Sequence, residues 1–315
     1  MAPTRFPQLR AAARLANGFA LEVVKMGGYG RDVIDGLLKM AILQANTAQI
    51  TRSAELQRQY ATFDAVVPDD LRRPVSINAV ATSLRIPFET ARRRIRAMAD
   101  AGQCVMTPKG VYLPQAMVHS RLAEAATRIH YQRVRRLYER LRGVGLLGDL
   151  HHGPAWDGEA PPVRLVLRLA SDYVLRLCEP LAATVGDPVT GLVLMDIQHA
   201  NTEHFPDAEG GTDDPNVSGF PPDTLRRPVR LVTLSERLGI PQETVRRHVN
   251  RLLAEQRCER MEEGYMVTAA ILARGAMNRF MLDNQMHLNR MFGSLAEHGV
   301  PAAWAHEADT ARRTA

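Results

Sequence analysis

A chain of 315 residues, 45% hydrophobic and 23% charged, excludes a disordered protein and has the apolar content to bury a core in each of two domains of about 150 residues. Its formal charge of +6 favours an anionic partner, and since only Lys25, Lys39 and Lys109 of the 40 basic residues are lysines, that charge sits on guanidinium groups, which grip phosphate and guanine bidentately. No run approaches the roughly 18 apolar residues of a membrane span, the first residues lack the apolar stretch of a secretory signal, and three cysteines are too few for a disulfide framework, so a cytoplasmic protein is expected.

Apolar residues at three- and four-residue spacing predict helices over 10–26 and 31–62, separated by the turn-forming GGYG. MGGYGRD is not a phosphate loop, because no strand precedes it and the Lys-Ser/Thr ending is absent. LRRP (71–74) then leads into a short helix with Ile77, Val80, Ala81 and Leu84 inward, the three-residue turn RIP, and a second helix from Phe88 with Ala91, Ile95 and Met98 on one face. Helices joined by so tight a turn cross at roughly 90–120° as a helix-turn-helix. Arg85, standing in that turn where glycine is usual, implies either a strained φ or a modified turn. QCVMTPKGVYL (103–113) reads as a hairpin whose Gly110 supplies positive φ. A long helix follows over 115–143, with Met117, Leu122, Ile129, Val134, Leu137 and Leu141 inward.

The chain then repeats itself. LRIPFETARRRIRAMA (84–99) returns as LGIPQETVRRHVNRLL (238–253), and between 68–118 and 222–272 one position in three is identical, which marks a duplication. RLANGFALEVV (14–24) returns as RLASDYVLRLC (168–178), and the ANT of 45–47 returns at 200–202, one residue out of register. Helices are therefore expected over 164–182 and 189–204, then a second helix-turn-helix with Leu231, Leu234, Ser235 and Leu238, and Val245, Val249 and Leu252, inward. RCERMEEGYMV (257–267) repeats the hairpin, and 269–297 the long helix, with Leu272, Met277, Phe280, Leu288, Met291 and Leu295 inward. Cys104 and Cys258 occupy matching positions and read as buried packing residues. The expected organisation is a repeat over 10–147, a Gly/Pro-rich linker over 148–162, a repeat over 163–300 and a flexible tail over 301–315, with an acidic flexible loop at 206–223.

Helix-turn-helix followed by a β-hairpin is a winged helix. Each copy resembles a bacterial winged-helix transcriptional regulator: its ET-x-RR helix is similar to that of IclR-type regulators, and its order of elements resembles the MarR type. The resemblance implies a mainly α fold, two tandem winged-helix domains flanked by long helices in a pseudo-twofold repeat. It also implies that the first and last helices form a dimer-like interface, that the winged helix binds DNA, and that the helices leave room for a small-molecule effector of unknown identity.

On the second helix of each motif the face opposite the core carries Phe88, Thr90, Arg92, Arg93 and Arg96, or Gln242, Thr244, Arg246, Arg247, Asn250 and Arg251. Arg93 and Arg247 can fork onto guanine, worth about 1–3 kcal/mol of discrimination each, while Gln242 and Asn250 suit adenine, and Thr90 and Thr244 a phosphate or a thymine methyl. Arg92, Arg96, Arg246 and Arg251 suit phosphates, joined by Arg72, Arg73, Arg226, Arg227 and Lys109. Glu89 and Glu243 are expected to pair with Arg93 and Arg247 one turn on. Glu262 and Glu263 make the second hairpin tip acidic where Lys109 makes the first basic, so unequal half-sites are expected.

The expected function is a sequence-specific double-stranded DNA-binding transcriptional regulator that reads an imperfect palindrome with two recognition helices from one chain, alone or as a homodimer. No catalytic set or cofactor motif is present, and His199, Glu203 and His204 read as ordinary polar residues rather than metal ligands. The alternatives are a tandem winged-helix replication initiator of a plasmid or phage, and a nucleoid or condensin-type scaffold.

Overall fold

Helical periodicity becomes fifteen helices among the described residues of a computed structural model that describes residues 6–28, 32–147, 150, 153–207 and 220–314. The first half runs α1 (Phe6–Gly27), α2 (Val33–Asn46), α3 (Ala48–Thr51), α4 (Ala54–Gln59), α5 (Ile77–Ser83), α6 (Phe88–Asp100), the hairpin β1 (Val105–Thr107) and β2 (Gly110–Tyr112), α7 (Gln115–Val118) and α8 (Arg121–Gly143). The second runs α9 (Val163–Val185), α10 (Pro188–Thr202), α11 (Leu231–Leu238), α12 (Gln242–Ala254), β3 (Glu259–Met261), β4 (Gly264–Met266), α13 (Ala269–Leu272), α14 (Gly275–Glu297) and α15 (Val300–Thr314). The chain is mainly helical, with two small antiparallel two-stranded sheets.

α1 packs on α2, α8, α10 and α14, and α9 packs on their counterparts α10, α14, α2 and α8. The main packing partners of one half's first helix therefore have their equivalents in the other. One continuous apolar cluster runs through both halves, so they do not bury separate cores as the length had suggested.

Buried arginines lock the halves together. Arg164, at the start of α9, donates from Nε to Phe63 O at 2.7 Å and from Nη2 to Val118 O at 3.1 Å, and lies over the Phe63 ring. Arg168, one turn on, donates to Tyr60 O at 2.7 Å and Gln57 O at 3.0 Å. Their counterparts on α1 reach across in the opposite sense: Arg14 donates to Phe205 O and Pro206 O, and Arg10 lies over the rings of Phe6 and Phe220. Burial pushes the Arg164 guanidinium down to about 10 and that of Arg168 to about 9, and both still carry charge at neutral pH.

A buried asparagine holds each hairpin to the bundle. Asn46 Nδ2 donates to Arg73 O at 2.8 Å and Val111 O at 3.1 Å, and its Oδ1 accepts from Leu113 N at 3.0 Å. Asn201 repeats the set with Arg227 O at 2.7 Å, Tyr265 O at 3.1 Å and Val267 N at 3.0 Å. These are the central residues of the two ANT triplets, whose one-residue offset is absorbed between α9 and α10 and again before the short 3-10 turns Asp69–Leu71 and Asp223–Leu225. Val75 bridges Val111, and Val229 bridges Tyr265, so a third extended segment lies against each hairpin. Gly110 and Gly264 are needed there twice over: φ is +131° and +153°, and a Cβ would press into the Val75 or Val229 carbonyl. The turn before α6 places Arg85 at φ +53°, beside +63° for Gly239 in the other half, so of the two expected outcomes the turn is kept and the φ is strained.

Several expected elements are broken or moved. The helix expected over 31–62 stops at Asn46, whose side chain serves the hairpin, and restarts twice, with Ser53 capping α4 through Leu56 N. The helices expected over 115–143 and 269–297 each divide into a short and a long piece, the first at Ser120, which caps α8 through Ala123 N. Leu122 and Ile129, expected inward, are 60% and 51% exposed because α8 buries the adjacent stripe Ala123, Thr127, His130, Val134, Leu137 and Leu141. The tail expected to be flexible is α15: Trp304 is buried, donates to Tyr131 Oη at 2.7 Å and packs against Tyr138, while Arg135 of α8 pairs with Glu307 at 2.6 Å. The linker is also held, by Gly153 N to Ala296 O and Trp156 N to Gly299 O. Positions 208–219 of the acidic loop, and Tyr29 and Gly30 of GGYG, lie outside the described residues. All three cysteines are buried, and burial raises each thiol, to about 11 for Cys104 and about 12 for Cys178 and Cys258.

Replacing Asn46 with Ala strands the Arg73 carbonyl and the Leu113 amide and takes one of two donors from the Val111 carbonyl, and should lower the unfolding free energy in urea by about 3 kcal/mol. His130, fully buried, has its pKa pushed down to about 4 by desolvation and by Arg133. The unfolded histidine binds a proton below about 6.5 and the folded one does not, so its stabilising contribution is intact above that pH and is lost as pH falls towards 4. His130→Asn should remove about 3 kcal/mol of the acid-side loss of stability between those limits, read from urea melts at each pH.

Candidate nucleic-acid interface

α5 and α6, and α11 and α12, pack as two helices around a three-residue turn, with Val80, Ala81, Leu84, Ala91, Ile95 and Met98 buried in the first pair and Leu234, Leu238, Val245, Val249 and Leu252 in the second. α6 and α12 therefore turn the same positions outward. Neither has a side-chain cap, since Pro87 and Pro241 occupy the cap position, so their first backbone N–H groups are not taken by a side chain.

On α6, Phe88, Arg93 and Arg96 are exposed and Thr90 and Arg92 half-buried; on α12, Gln242, Arg246, Arg247, Asn250 and Arg251 are exposed and Thr244 half-buried. The expected glutamate pairs are displaced by one residue. Glu89 accepts from Arg92, with Nε at 2.9 Å and Nη2 at 2.6 Å, and Glu243 lies 3.3 Å from Arg246. Three-residue spacing is as close on a helix as four. Among the described residues, Arg93, Arg96 and Arg247 consequently have no carboxylate within ion-pair distance.

Three of the expected phosphate ligands are committed elsewhere. Arg72 and Arg226 are 5% exposed, turned into the protein beside Asp69 and Asp223, where Arg72 donates to Val67 O and Arg226 to Pro221 O. Their neighbours Arg73 and Arg227 are exposed, because successive side chains of the extended LRRP segment face opposite ways. Arg251 lies between Asp187 at 3.0 Å and Glu255 at 2.9 Å, which neutralise it and tie α12 to the start of α10. In the first half the same junction is made by Arg94, which meets Asp32 at 2.8 Å and Asp35 at 2.7 Å. These carboxylates hold its pKa above the usual arginine value despite desolvation. His248 occupies the position equivalent to Arg94 and contacts Thr190 Oγ1 at 2.8 Å.

Lys109 is exposed at the first hairpin tip, as are Glu262 and Glu263 at the second. Three further exposed cations escaped the sequence reading. Arg85 juts from the turn, Arg230 precedes α11 and Arg260 lies on β3, all without an ion-pair partner among the described residues. Arg230 was legible as the last residue of LRRPVR; the other two depended on knowing the turn and the strand. His199 and Glu203 approach to 3.6 Å, but the imidazole lies against Gly18, and His204 contacts the Leu225 carbonyl.

Arg93→Ala and Arg247→Ala should change stability by less than about 0.5 kcal/mol, whereas Arg72→Ala, which removes a buried guanidinium from the Val67 carbonyl and the half-exposed Asp69, should cost about 3 kcal/mol in urea melts. Comparison with protein-family models, with curated proteins and with solved structures finds no match for this chain.

Proposed function

We propose that the chain is a sequence-specific double-stranded DNA-binding transcriptional regulator, cytoplasmic and nucleoid-associated, built from two tandem winged-helix modules of MarR/IclR-like order. α6 and α12 are its recognition helices, and the interlocked bundle α1, α2, α8, α9, α10 and α14 acts as an intramolecular counterpart of a dimer interface. The observation that carries this reading is the pair of matched helices whose exposed Arg93, Arg96 and Arg247 have no intramolecular carboxylate among the described residues. An α-helix enters the major groove, where a guanidinium can take guanine O6 and N7 together. Thr90, Thr244, Gln242 and Asn250 supply the neutral donors and acceptors, while Arg73, Arg227 and Lys109 take backbone phosphates.

The two heads are unequal. Around the first stand Arg73, Arg85, Arg93, Arg96 and Lys109; around the second, Arg251 is neutralised and Glu262 and Glu263 face any phosphate near the hairpin. The expected target is an imperfect palindrome, with the half bound by α6 contributing more of the salt-dependent affinity.

Selection of bound duplexes from a random pool at two salt concentrations tests the reading. The wild type should enrich an imperfect palindrome, and Arg93→Ala and Arg247→Ala should each relax preference at one guanine, in different halves, with a loss of about 1–3 kcal/mol. Lys109→Ala should weaken all sequences alike and lower the salt slope by about one. Salt-sensitive binding without an enriched motif would instead indicate a nucleoid scaffold, and absence of binding would end the proposal.

A further inference from the structure

The duplication supplies an internal comparison between the two exposed helices. α6 and α12 have the same length and each follows a proline, and their first turns read Phe88-Glu89-Thr90 and Gln242-Glu243-Thr244. Only the first position differs. Phe88 is 44% exposed and lies outside the apolar cluster that holds the rest of the motif together, so its ring adds nothing to the core. Gln242 is exposed at the same place. On a solvated surface a phenyl ring brings nothing that the glutamine does not, and it gains free energy only when an apolar group covers it.

A second difference lies three residues earlier. The turn holds Arg85 at φ +53° where the second head has Gly239 at +63°. Glycine takes this conformation freely and arginine does not, so the first head keeps a strained residue that the second avoids. What the strain secures is an exposed guanidinium, with no carboxylate in ion-pair distance among the described residues, just ahead of the first N–H groups of α6, which no side chain caps. A cation and uncapped amides together suit a phosphate. A phosphate held there seats the start of α6 against the DNA backbone, the arrangement in which the first side chains of such a helix reach base edges.

Base edges in the major groove are polar except for one group, the 5-methyl of thymine, which 5-methylcytosine shares; a glutamine instead takes adenine N6 and N7. We infer that Phe88 covers the 5-methyl group of a pyrimidine, so that the half-site of the first head carries a 5-methylpyrimidine where that of the second carries adenine. The inference rests on the DNA-binding reading and names the position at which the palindrome is imperfect.

The full chain selects duplexes from a random pool, and each thymine of the best duplex is then replaced singly by deoxyuridine, which removes the methyl and keeps the pairing. One replacement, in one half-site, should weaken wild-type binding about fourfold, the loss of one buried methyl, and weaken Phe88→Gln binding less than about twofold. The urea midpoint of Phe88→Gln should match the wild type, which separates a changed preference from a damaged fold. Gln242→Phe should shift the selected base in the other half-site from adenine to thymine, and Phe88→Leu, still apolar, should keep part of the sensitivity. Cytosine and 5-methylcytosine at the sensitive position tell the two sources apart: methylcytosine bound as well as thymine assigns the reading to the methyl alone, and methylcytosine bound no better than cytosine assigns it to thymine. No sensitive thymine in the wild type, or one to which Phe88→Gln is equally sensitive, overturns the inference and leaves a DNA-binding protein; a wild type that selects no duplex ends both. Should Phe88→Gln fail to fold, Phe88→Leu and Gln242→Phe decide.

Discussion

A buried guanidinium that finds its hydrogen-bond acceptors only in the other half of the chain is the constraint on which this architecture rests. Arg164 and Arg168 on α9 serve carbonyls at 57, 60, 63 and 118, and Arg14 on α1 serves carbonyls at 205 and 206. Charge-assisted bonds of this kind are worth about 1.5–3 kcal/mol each, and leaving such a charge buried without them costs more. The bonds therefore fix where α1 and α9 lie relative to the opposite half. The apolar helices then close around them, and each Asn46 or Asn201 set hangs a hairpin from the resulting frame. Position is thus passed from bundle to hairpin to the outer faces of α6 and α12.

Much of this order was legible because duplication states each structural requirement twice. The helix-turn-helix pairs, the hairpin glycines and the positive φ of Arg85 follow from side-chain size and backbone sterics, which act over a few residues. The breaks at Asn46 and Ser120 were not legible. An asparagine ending a helical pattern looks the same whether it faces solvent or a distant β-hairpin. Leu122 and Ile129 misled for a related reason: apolar periodicity reports a stripe, but which of two adjacent stripes on α8 is covered depends on α1 and α9.

The candidate interface was legible in outline and less so in detail. Arg93, Arg96 and Arg247 lie outward as helix periodicity required. The burial of Arg72 and Arg226 was not legible because Arg72-Arg73 and Arg226-Arg227 are chemically identical pairs, and only the direction of the extended backbone decides which member turns inward. The pairing of Arg251 was not legible because Asp187 is remote in sequence. Composition counts every arginine as a free cation, whereas the fold spends many of them on internal structure.

The position of Trp304 carries a consequence for biosynthesis. Its indole closes on Tyr131 and Tyr138 of the first half, although it lies 173 residues beyond Tyr131 in the chain. α1 likewise waits for α10 and α14, and Arg14 for the segment after α10. A ribosome that has released only the first half has made a chain in which Arg14 lacks the carbonyls at 205 and 206 and α1 lacks half its neighbours. The nascent protein cannot mature domain by domain in the usual N-to-C order, so its contacts across long stretches of sequence must form late and together, with slow folding as the consequence.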